Sequence, residues 1–223
     1  MLRVGERLPP EAELAGQFGI AVATLRKALA QLRAQGVVET RRGRNGGTFI
    51  VQAPFPSEST LITVLRRLSV VELRDFADEH AAVAGMSARL AAERCPADSR
   101  TRLAELAFRA REAEGVHELC LTDSRFHIEI SVLSHSQRLL TAEQRLQAEI
   151  APLLWNKKTS QASTQHAFND HLNIIMAIEQ RDPAHAQHLA EAHAVNNVKT
   201  IIDAKLALLT TAHDTESSAT GSE

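Results

Sequence analysis

Aromatic residues are scarce in this chain: they make up 4% of its 223 residues, and tyrosine is absent. The two cysteines, Cys95 and Cys120, form no CxxC motif and indicate no disulfide framework. No apolar run approaches the roughly 18 residues that a membrane span requires, and the N-terminus lacks the apolar segment of a signal peptide. These absences predict a soluble cytoplasmic protein without a membrane partner. The abundance of alanine and leucine favours helix packing over a β-sandwich.

The formal net charge of −2 hides an uneven distribution. Residues 1–51 carry eight lysines and arginines against four glutamates, whereas residues 52–223 carry 17 basic against 23 acidic side chains. A basic head on an acidic body predicts that the head alone binds a polyanion. Charge by itself leaves an ordinary solvated surface as the alternative.

Two short helices joined by a tight turn are predicted within residues 11–35. Pro10 and Gly19 bound the first helix, and Gly36 ends the second, which is amphipathic. The stretches VVET and TFIV then flank a loop rich in glycine and arginine, a pattern typical of a hairpin. This order predicts a winged helix-turn-helix over residues 1–52.

The remainder of the chain has helical periodicity only. Residues 53–60 contain two prolines without periodicity and are predicted to be a linker. Residues 61–209 are predicted to form an antiparallel helical bundle, and the polar tail 210–223 is predicted to be disordered. The fold class is therefore mainly α, with a small β wing. The expected bundle helices lie near 61–68, 70–93, 97–113, 116–133, 136–156, 163–180 and 184–209.

The predicted recognition helix and wing carry the candidate DNA contacts. An outward face that reaches bases and phosphates in the major groove is expected on the recognition helix. Glycines let the wing approach the duplex, and arginines beside them suit an electronegative minor groove. The candidates are Thr24, Arg26, Lys27, Arg41, Arg42, Arg44, Asn45 and Gly46.

One carboxylate and three imidazoles in the helical part have the spacing of a metal site. Asp123 and His127 are four residues apart and share one helix face. His171 and His193 lie on two later helices. Together they would suit a divalent transition metal inside a bundle. Spacing alone leaves open that each histidine is an ordinary surface or core residue, since the chain has ten.

The segment from residue 4 to 51 closely resembles the DNA-binding domain of GntR-family bacterial regulators. The matching residues are Gly5, Leu8, Pro9, Glu11, Leu14, Ala15, Gly19, Thr24, Arg26, Ala28, Leu29, Leu32, Gly36, Arg42, Gly43 and Gly47. Ala12, Ala21 and Val22 depart from the pattern where arginine, serine or threonine is usual, so we expect either weaker DNA binding or a specificity that depends on Arg26 and the wing. The family usually has a further helix before this segment, so we expect either a truncated start or a less stable head.

Residues 61–208 resemble the FCD effector domain of the FadR subfamily. In many members an Asp-x3-His pair and two later histidines bind a metal, often zinc or nickel, at the floor of a central cavity. Asp123, His127, His171 and His193 match that pattern in type and order. The resemblance also suggests Arg74, frequent in the first sensor helix, as a ligand-binding residue, with a surface ion pair as the alternative. Asn196 is a further ligand-binding candidate.

Together these features predict a ligand-responsive transcription regulator. We expect a homodimer on a short palindromic operator of double-stranded DNA at the nucleoid, acting as a repressor that a small organic acid releases by binding at the metal. A metal-dependent hydrolase or lyase is one alternative, which would leave the DNA-binding head unexplained, so no enzyme activity is expected. A metal-free regulator that senses an apolar acyl chain is the other.

Overall fold

The computed structural model describes residues 5–34, 36–43, 46–51, 55–95, 101–155 and 161–220, without the side chains of 161, 162 and 211–220. The chain divides into two compact units, Met1–Phe55 and Pro56–Glu223. The described residues are mainly helical and include one two-stranded antiparallel sheet. The predicted fold class is therefore confirmed.

The first unit is built from two helices and a hairpin. These are α1 (Glu11–Phe18), α2 (Val22–Ala34), β1 (Val38–Arg41) and β2 (Gly47–Ile50). Gly19 follows α1 with a φ of 63°, a left-handed conformation that ends the helix and that glycine adopts at little steric cost. Both helices and the hairpin contribute to one small core, formed by Leu8, Leu14, Ala15, Leu25, Leu29, Val37, Val38 and Ile50.

A segment before α1 pairs with the hairpin, which the sequence pattern did not predict. The Gly5 N–H donates to the Ile50 carbonyl at 2.7 Å, and the Ile50 N–H donates to the Glu6 carbonyl at 3.0 Å. The Leu8 N–H donates to the Thr48 carbonyl at 2.8 Å. The segment is short and lacks strand periodicity, so this pairing depends on tertiary contact with β2.

The second unit is a bundle in which the long helix α4 packs along α9. Its largest fully buried apolar side chains include Leu103, Phe126, Leu146, Ile174 and Ile178. Among the described helices, none combines the length and apolar character needed to cross a membrane. The helices are α3 (Glu58–Arg67), α4 (Val70–Arg94), α5 (Thr101–Arg111), α6 (Val116–Leu133), α7 (Gln137–Leu154), α8 (Gln161–Glu179) and α9 (Pro183–Thr220).

The two ends of this unit differ from the sequence-based boundaries. The α3 helix begins inside the predicted linker, because Ser57 Oγ accepts the Thr60 N–H at 3.2 Å and caps the first turn. Residues 52–54 lie outside the described part of the chain. The backbone of α9 continues to Thr220, past the predicted end at 209. Side chains 211–220 and residues 221–223 are not described, so disorder of the tail stays a prediction.

A buried lysine of α9 attaches α3 to the bundle. Lys205 is only 6% exposed, and its Nζ donates to the carbonyls of Leu65 at 3.0 Å and Arg66 at 3.1 Å. Carbonyls in the last turn of a helix have no partner within the helix, so this cation also complements the negative end of the α3 dipole. Leu61 and Leu65 of the same helix are buried.

Candidate metal centre

Three helices of the bundle bring the four predicted metal ligands together. The α6 helix carries Asp123 and His127 one turn apart, α8 carries His171, and α9 carries His193. All four residues are buried, with between 1% and 6% of their surface exposed. A separation of four residues places Asp123 and His127 on one face of α6, and packing of α8 and α9 supplies the other two imidazoles.

The distances in this cluster are close to those of a loaded site. The ligand atoms of His127, His171 and His193 all lie within 4.8 Å of one another. Asp123 Oδ1 is 3.6 Å from His171 Nε2, and Asp123 Oδ2 is 3.9 Å from His127 Nε2. Two nitrogens about 2.1 Å from one tetrahedral ion are roughly 3.4 Å apart. Small side-chain rotations would therefore close the cluster on an ion.

Several ring nitrogens of the cluster lack hydrogen bonds. Within the described part of the chain, His127 Nε2 and both ring nitrogens of His171 are buried without a hydrogen-bond partner. Each unsatisfied buried polar group costs about 1–3 kcal/mol. An ion bound by these nitrogens would remove that cost. Three imidazoles and one carboxylate therefore fit a divalent transition metal.

The electrostatics of the cluster keep its imidazoles available as ligands. Burial, reinforced by neighbouring histidines, holds the pKa of His127 and of His171 well below the usual value. Both rings are therefore neutral at pH 7, the form that binds metals. Burial raises the pKa of Asp123 to about 6, against the lowering effect of a hydrogen bond from Trp155. A bound cation would favour the carboxylate form of Asp123.

Side chains around the ligands orient them. Trp155 Nε1 donates to Asp123 Oδ2 at 2.8 Å. Asp170 Oδ2 lies 2.9 Å from His193 Nδ1, and the Asn197 amide nitrogen lies 3.0 Å from His193 Nε2. Because Asp170 accepts a hydrogen bond from Nδ1–H of His193, the lone pair of this ring is on Nε2. There it accepts a hydrogen bond from the Asn197 amide. A carboxylate that fixes the tautomer of a histidine ligand is a common feature of metal sites.

A small cavity lies beside the cluster. It has room for roughly one water molecule. Its lining includes His127 and His193 of the cluster, together with His80, Ser87 and Glu143. The cavity therefore leaves space for about one water-sized group next to the candidate metal ligands.

Comparisons with known proteins identify both units of the chain. Residues 1–50 match the family model described as bacterial regulatory proteins, gntR family, and residues 66–196 match the FCD domain. The chain belongs to the GntR family. It is a DNA-binding transcription regulator of the type that combines a GntR head with an FCD domain.

Similar proteins agree with this assignment. A Mycobacterium gastri protein named as an HTH-type transcriptional regulator, RmpR, is 45% identical over 210 residues, covering 93% of this chain and 77% of its own length. A protein of Escherichia coli K12 named as the L-lactate dehydrogenase operon regulatory protein is 34% identical over 143 residues, covering 62% of this chain and 54% of its own length. The Escherichia coli McbR/YncC structure has a TM-score of 0.58 at 16% identity, covering 91% of this chain and 89% of its own, and supports the fold alone. Family and relatives are transcription regulators, not enzymes, and the hydrolase or lyase alternative is set aside.

The two predicted ligand-binding residues are not among the side chains that line the cavity. Arg74 and Asn196 are both exposed. On α9 it is Asn197, one residue later, that contacts His193. Successive residues of a helix are rotated by about 100°, so a shift of one position moves a side chain from the helix surface toward the site.

The GntR head exposes most of the predicted DNA contacts. Arg44 and Asn45 lie outside the described residues, and Gly46 is half-buried. The exposed candidates are Thr24, Arg26, Lys27, Arg41 and Arg42.

Two of these arginines have partners within the head. Arg26 Nε donates to Glu11 Oε2 at 2.7 Å, and Arg41 Nε donates to Glu39 Oε1 at 2.5 Å. The Arg41 guanidinium also lies 4.5 Å from the ring centre of Phe49. Exposed ion pairs contribute only about 0.2–1 kcal/mol, so phosphates can compete for both arginines.

Sequence reasoning missed the residues that support the site. The sequence patterns single out neither Trp155 nor Asp170, and they do not distinguish His80 among the ten histidines. Asp170 directly precedes His171 in the sequence, and Trp155 is the only tryptophan of the chain. These two features of the sequence are the signals by which Asp170 and Trp155 could have been found. Nothing in the sequence indicated that Glu143 contacts His80.

Proposed function

We propose that this regulator is a metal-dependent repressor that a small carboxylate releases from DNA. The observation that carries the proposal is the buried cluster of Asp123 and three histidines with unsatisfied ring nitrogens beside a cavity. Burial of so many polar atoms without partners is unfavourable in a purely structural core. An ion bound by the cluster would supply the missing partner for these atoms.

Asp123, His127, His171 and His193 would hold the metal, with zinc or nickel as the expected ion. The bound ion would supply a positive charge and one or two open coordination positions for an anionic ligand. Asp170 holds the His193 ring through Nδ1, and Trp155 holds the Asp123 carboxylate. These contacts restrict both ligands to orientations directed at the cluster.

A carboxylate is the ligand class that this centre suits best. Open positions on a divalent ion attract anions, and the cavity lining also offers polar side chains at His80, Ser87 and Glu143. The relative named for the L-lactate dehydrogenase operon is consistent with a short organic acid. We therefore favour this class over the apolar effector of a metal-free regulator.

On the DNA side, we propose that a homodimer binds a palindromic operator. The exposed Arg26 and Lys27 of α2 would reach the major groove, and Arg41 and Arg42 of the wing would contact the neighbouring backbone or minor groove. Carboxylate binding would change the relative placement of the two heads. A coupling of about 1–3 kcal/mol between ligand and DNA is typical of such regulators.

The experiment combines metal analysis with DNA binding. Purified full-length protein is analysed for metal by mass spectrometry, and its affinity for the DNA upstream of its own gene is measured by fluorescence anisotropy with and without L-lactate and other short carboxylates. We expect one metal ion per subunit and weaker DNA binding when the effective acid is present. His127→Ala should lose the metal and the response while still binding DNA.

His188→Ala is the matched control, because His188 is an exposed histidine on α9, the helix that carries His193. It should keep both the metal and the response. A protein without stoichiometric metal, or a His127→Ala variant with an intact ligand response, would contradict the metal-anchored model. Tighter DNA binding in the presence of the acid would contradict the repressor assignment.

A further inference from the structure

The exposed side of the recognition helix α2 follows from its buried side. Leu25 and Leu29 of this helix are buried in the core of the head. Residues two positions apart on a helix point in nearly opposite directions, so Lys27, two positions from each leucine, points away from the core. Ala23 and Gln31 lie one turn before and one turn after Lys27, and all three are exposed. We call Ala23, Lys27 and Gln31 the outer row of α2.

The first turn of the outer row has no hydrogen-bonding group. Its side chain is the methyl group of Ala23, since α2 begins at Val22. Arg26, beside the row, is exposed, but its Nε donates to Glu11 Oε2 at 2.7 Å, which holds the guanidinium toward α1. The outer row therefore presents a methyl group first and the cation of Lys27 one turn later.

This order of groups has a consequence in the major groove. A recognition helix contacts base edges with its N-terminal residues, and Ala23 is one of them. Thymine is the base that presents a methyl group at its major-groove edge. A methyl side chain that covers a hydrogen-bonding group of another base removes water from it without supplying a partner. The position of Ala23 therefore suits thymine better than the other bases.

We infer that Ala23 is a specificity-determining residue that selects a thymine in each operator half-site through contact with the C5 methyl group. This inference rests on the proposed function, because it requires α2 to enter the major groove. Lys27, one turn later, contributes affinity through a neighbouring backbone phosphate. The specificity of the head then includes an apolar contact in addition to those of Arg26 and the wing.

Thr24 is the neighbouring residue that could make the same contact. It is exposed, and its side chain carries a methyl group that can pack on thymine as well. Unlike Ala23, it also carries a hydroxyl group, which can bond to a phosphate or to a base edge. Removing the two methyl groups separately distinguishes the two residues.

The test removes single methyl groups from the DNA. An operator is selected from random double-stranded DNA with the full-length protein, and each thymine of one half-site is then replaced by deoxyuridine, which lacks only the C5 methyl group. Fluorescence anisotropy measures the affinity for each duplex. We expect one position at which the replacement weakens binding about fourfold, the effect of burying one methyl group.

Variants then assign this position to Ala23. The ratio of thymine to deoxyuridine affinity should approach one in Ala23→Gly, which lacks the methyl group. Ala23→Ser, which avoids a glycine in the helix, should also lower the ratio, because a hydroxyl group gains little from an apolar neighbour. Thr24→Ser removes the competing methyl group and should keep the wild-type ratio.

Ala28→Gly is the matched control, because Ala28 is an exposed alanine of α2 that lies outside the outer row. It should keep the wild-type ratio as well. The ratio is the readout because it cancels general losses of affinity, including the loss of helix stability that glycine causes.

The outcomes separate this inference from the proposed function. If no sequence is enriched, or if Lys27→Ala binds the selected operator as tightly as the wild type, the proposed placement of α2 fails and the inference fails with it. If Lys27→Ala weakens binding but the wild type tolerates deoxyuridine at every position, the inference alone is overturned. It is also overturned if the preference persists in both Ala23 variants or is lost in Thr24→Ser. Loss in both Ala23 variants, with retention in Thr24→Ser and Ala28→Gly, supports the assignment.

Discussion

Replacing Asp170 tests how the protein prepares His193 for a metal. Asp170 Oδ2 accepts from His193 Nδ1 at 2.9 Å, and this contact leaves Nε2 as the ring nitrogen with a free lone pair. Burial acts to raise the pKa of Asp170, but the hydrogen bond with His193 opposes it, and the pKa lies below its usual value. The carboxylate is therefore ionised at neutral pH and raises the basicity of the ring.

The size of the effect follows from the environment of Asp170. Loss of a carboxylate that supports a histidine ligand typically lowers metal affinity 10- to 100-fold, which corresponds to about 1.4–2.7 kcal/mol. The side chain of Asp170 is 23% exposed, so solvent screens part of its charge. We therefore expect about tenfold weaker binding in Asp170→Ala. In Asp170→Asn the loss should be smaller, because the amide carbonyl still accepts from Nδ1.

The assay is a competition between the protein and a chromophoric chelator for Zn²⁺ at fixed pH. Asn169→Ala is the matched control, since Asn169 precedes Asp170 on α8 and is exposed; its metal affinity should equal that of the wild type. If Asp170→Ala binds Zn²⁺ as tightly as the wild-type chain, the orientation of His193 by Asp170 has no role in the site and the reasoning is refuted. Equal losses in Asp170→Ala and Asn169→Ala would instead indicate general damage to α8.

Three other predictions follow from contacts in the bundle. Asn197→Ala removes the amide that occupies His193 Nε2 at 3.0 Å, so the same competition assay should show Zn²⁺ bound about two- to tenfold more tightly; weaker binding would show that Asn197 supports the site. Lys205→Met removes two hydrogen bonds to carbonyls at the end of α3 and should lower the free energy of unfolding, measured in urea, by about 1–3 kcal/mol; an unchanged value would mean that the buried charge offsets these bonds. Burial raises the pKa of Cys120 to about 12, and only the thiolate reacts with thiol reagents, so labelling of Cys120 at pH 8, followed by mass spectrometry, should require denaturant.

The local patterns in the sequence were sufficient for most of the fold. Pro10 and Gly19 bound α1 as predicted, because each acts through its own backbone restrictions. The hairpin followed from two β-rich stretches around a glycine-rich loop, and the bundle helices followed from their apolar periodicity. Pairing of residues 5–8 with β2 was missed, since it depends on contact between segments that are far apart in the chain.

The candidate metal ligands could also be predicted before the structure, in two steps. A spacing of four residues on one helix was enough to pair Asp123 with His127. The choice of His171 and His193 among ten histidines depended on resemblance to a known domain, and the structure then placed both beside His127. Spacing within a helix is a local property, whereas the distance between helices is set by packing.

The identity of the other side chains around the ligands depends on how the helices pack. The rotation of α9 about its own axis brings the Asn197 side chain into contact with His193 and leaves the predicted Asn196 exposed. The packing of α4 against α7 brought His80 to Glu143, whose Oε2 has no hydrogen-bond donor among the residues that the structure describes. The helices, the wing and the pairing of Asp123 with His127 could be predicted from residue type and short-range spacing, and resemblance to a known domain added His171 and His193. The surroundings of the site depend on how the helices rotate and pack, which no short-range pattern specifies.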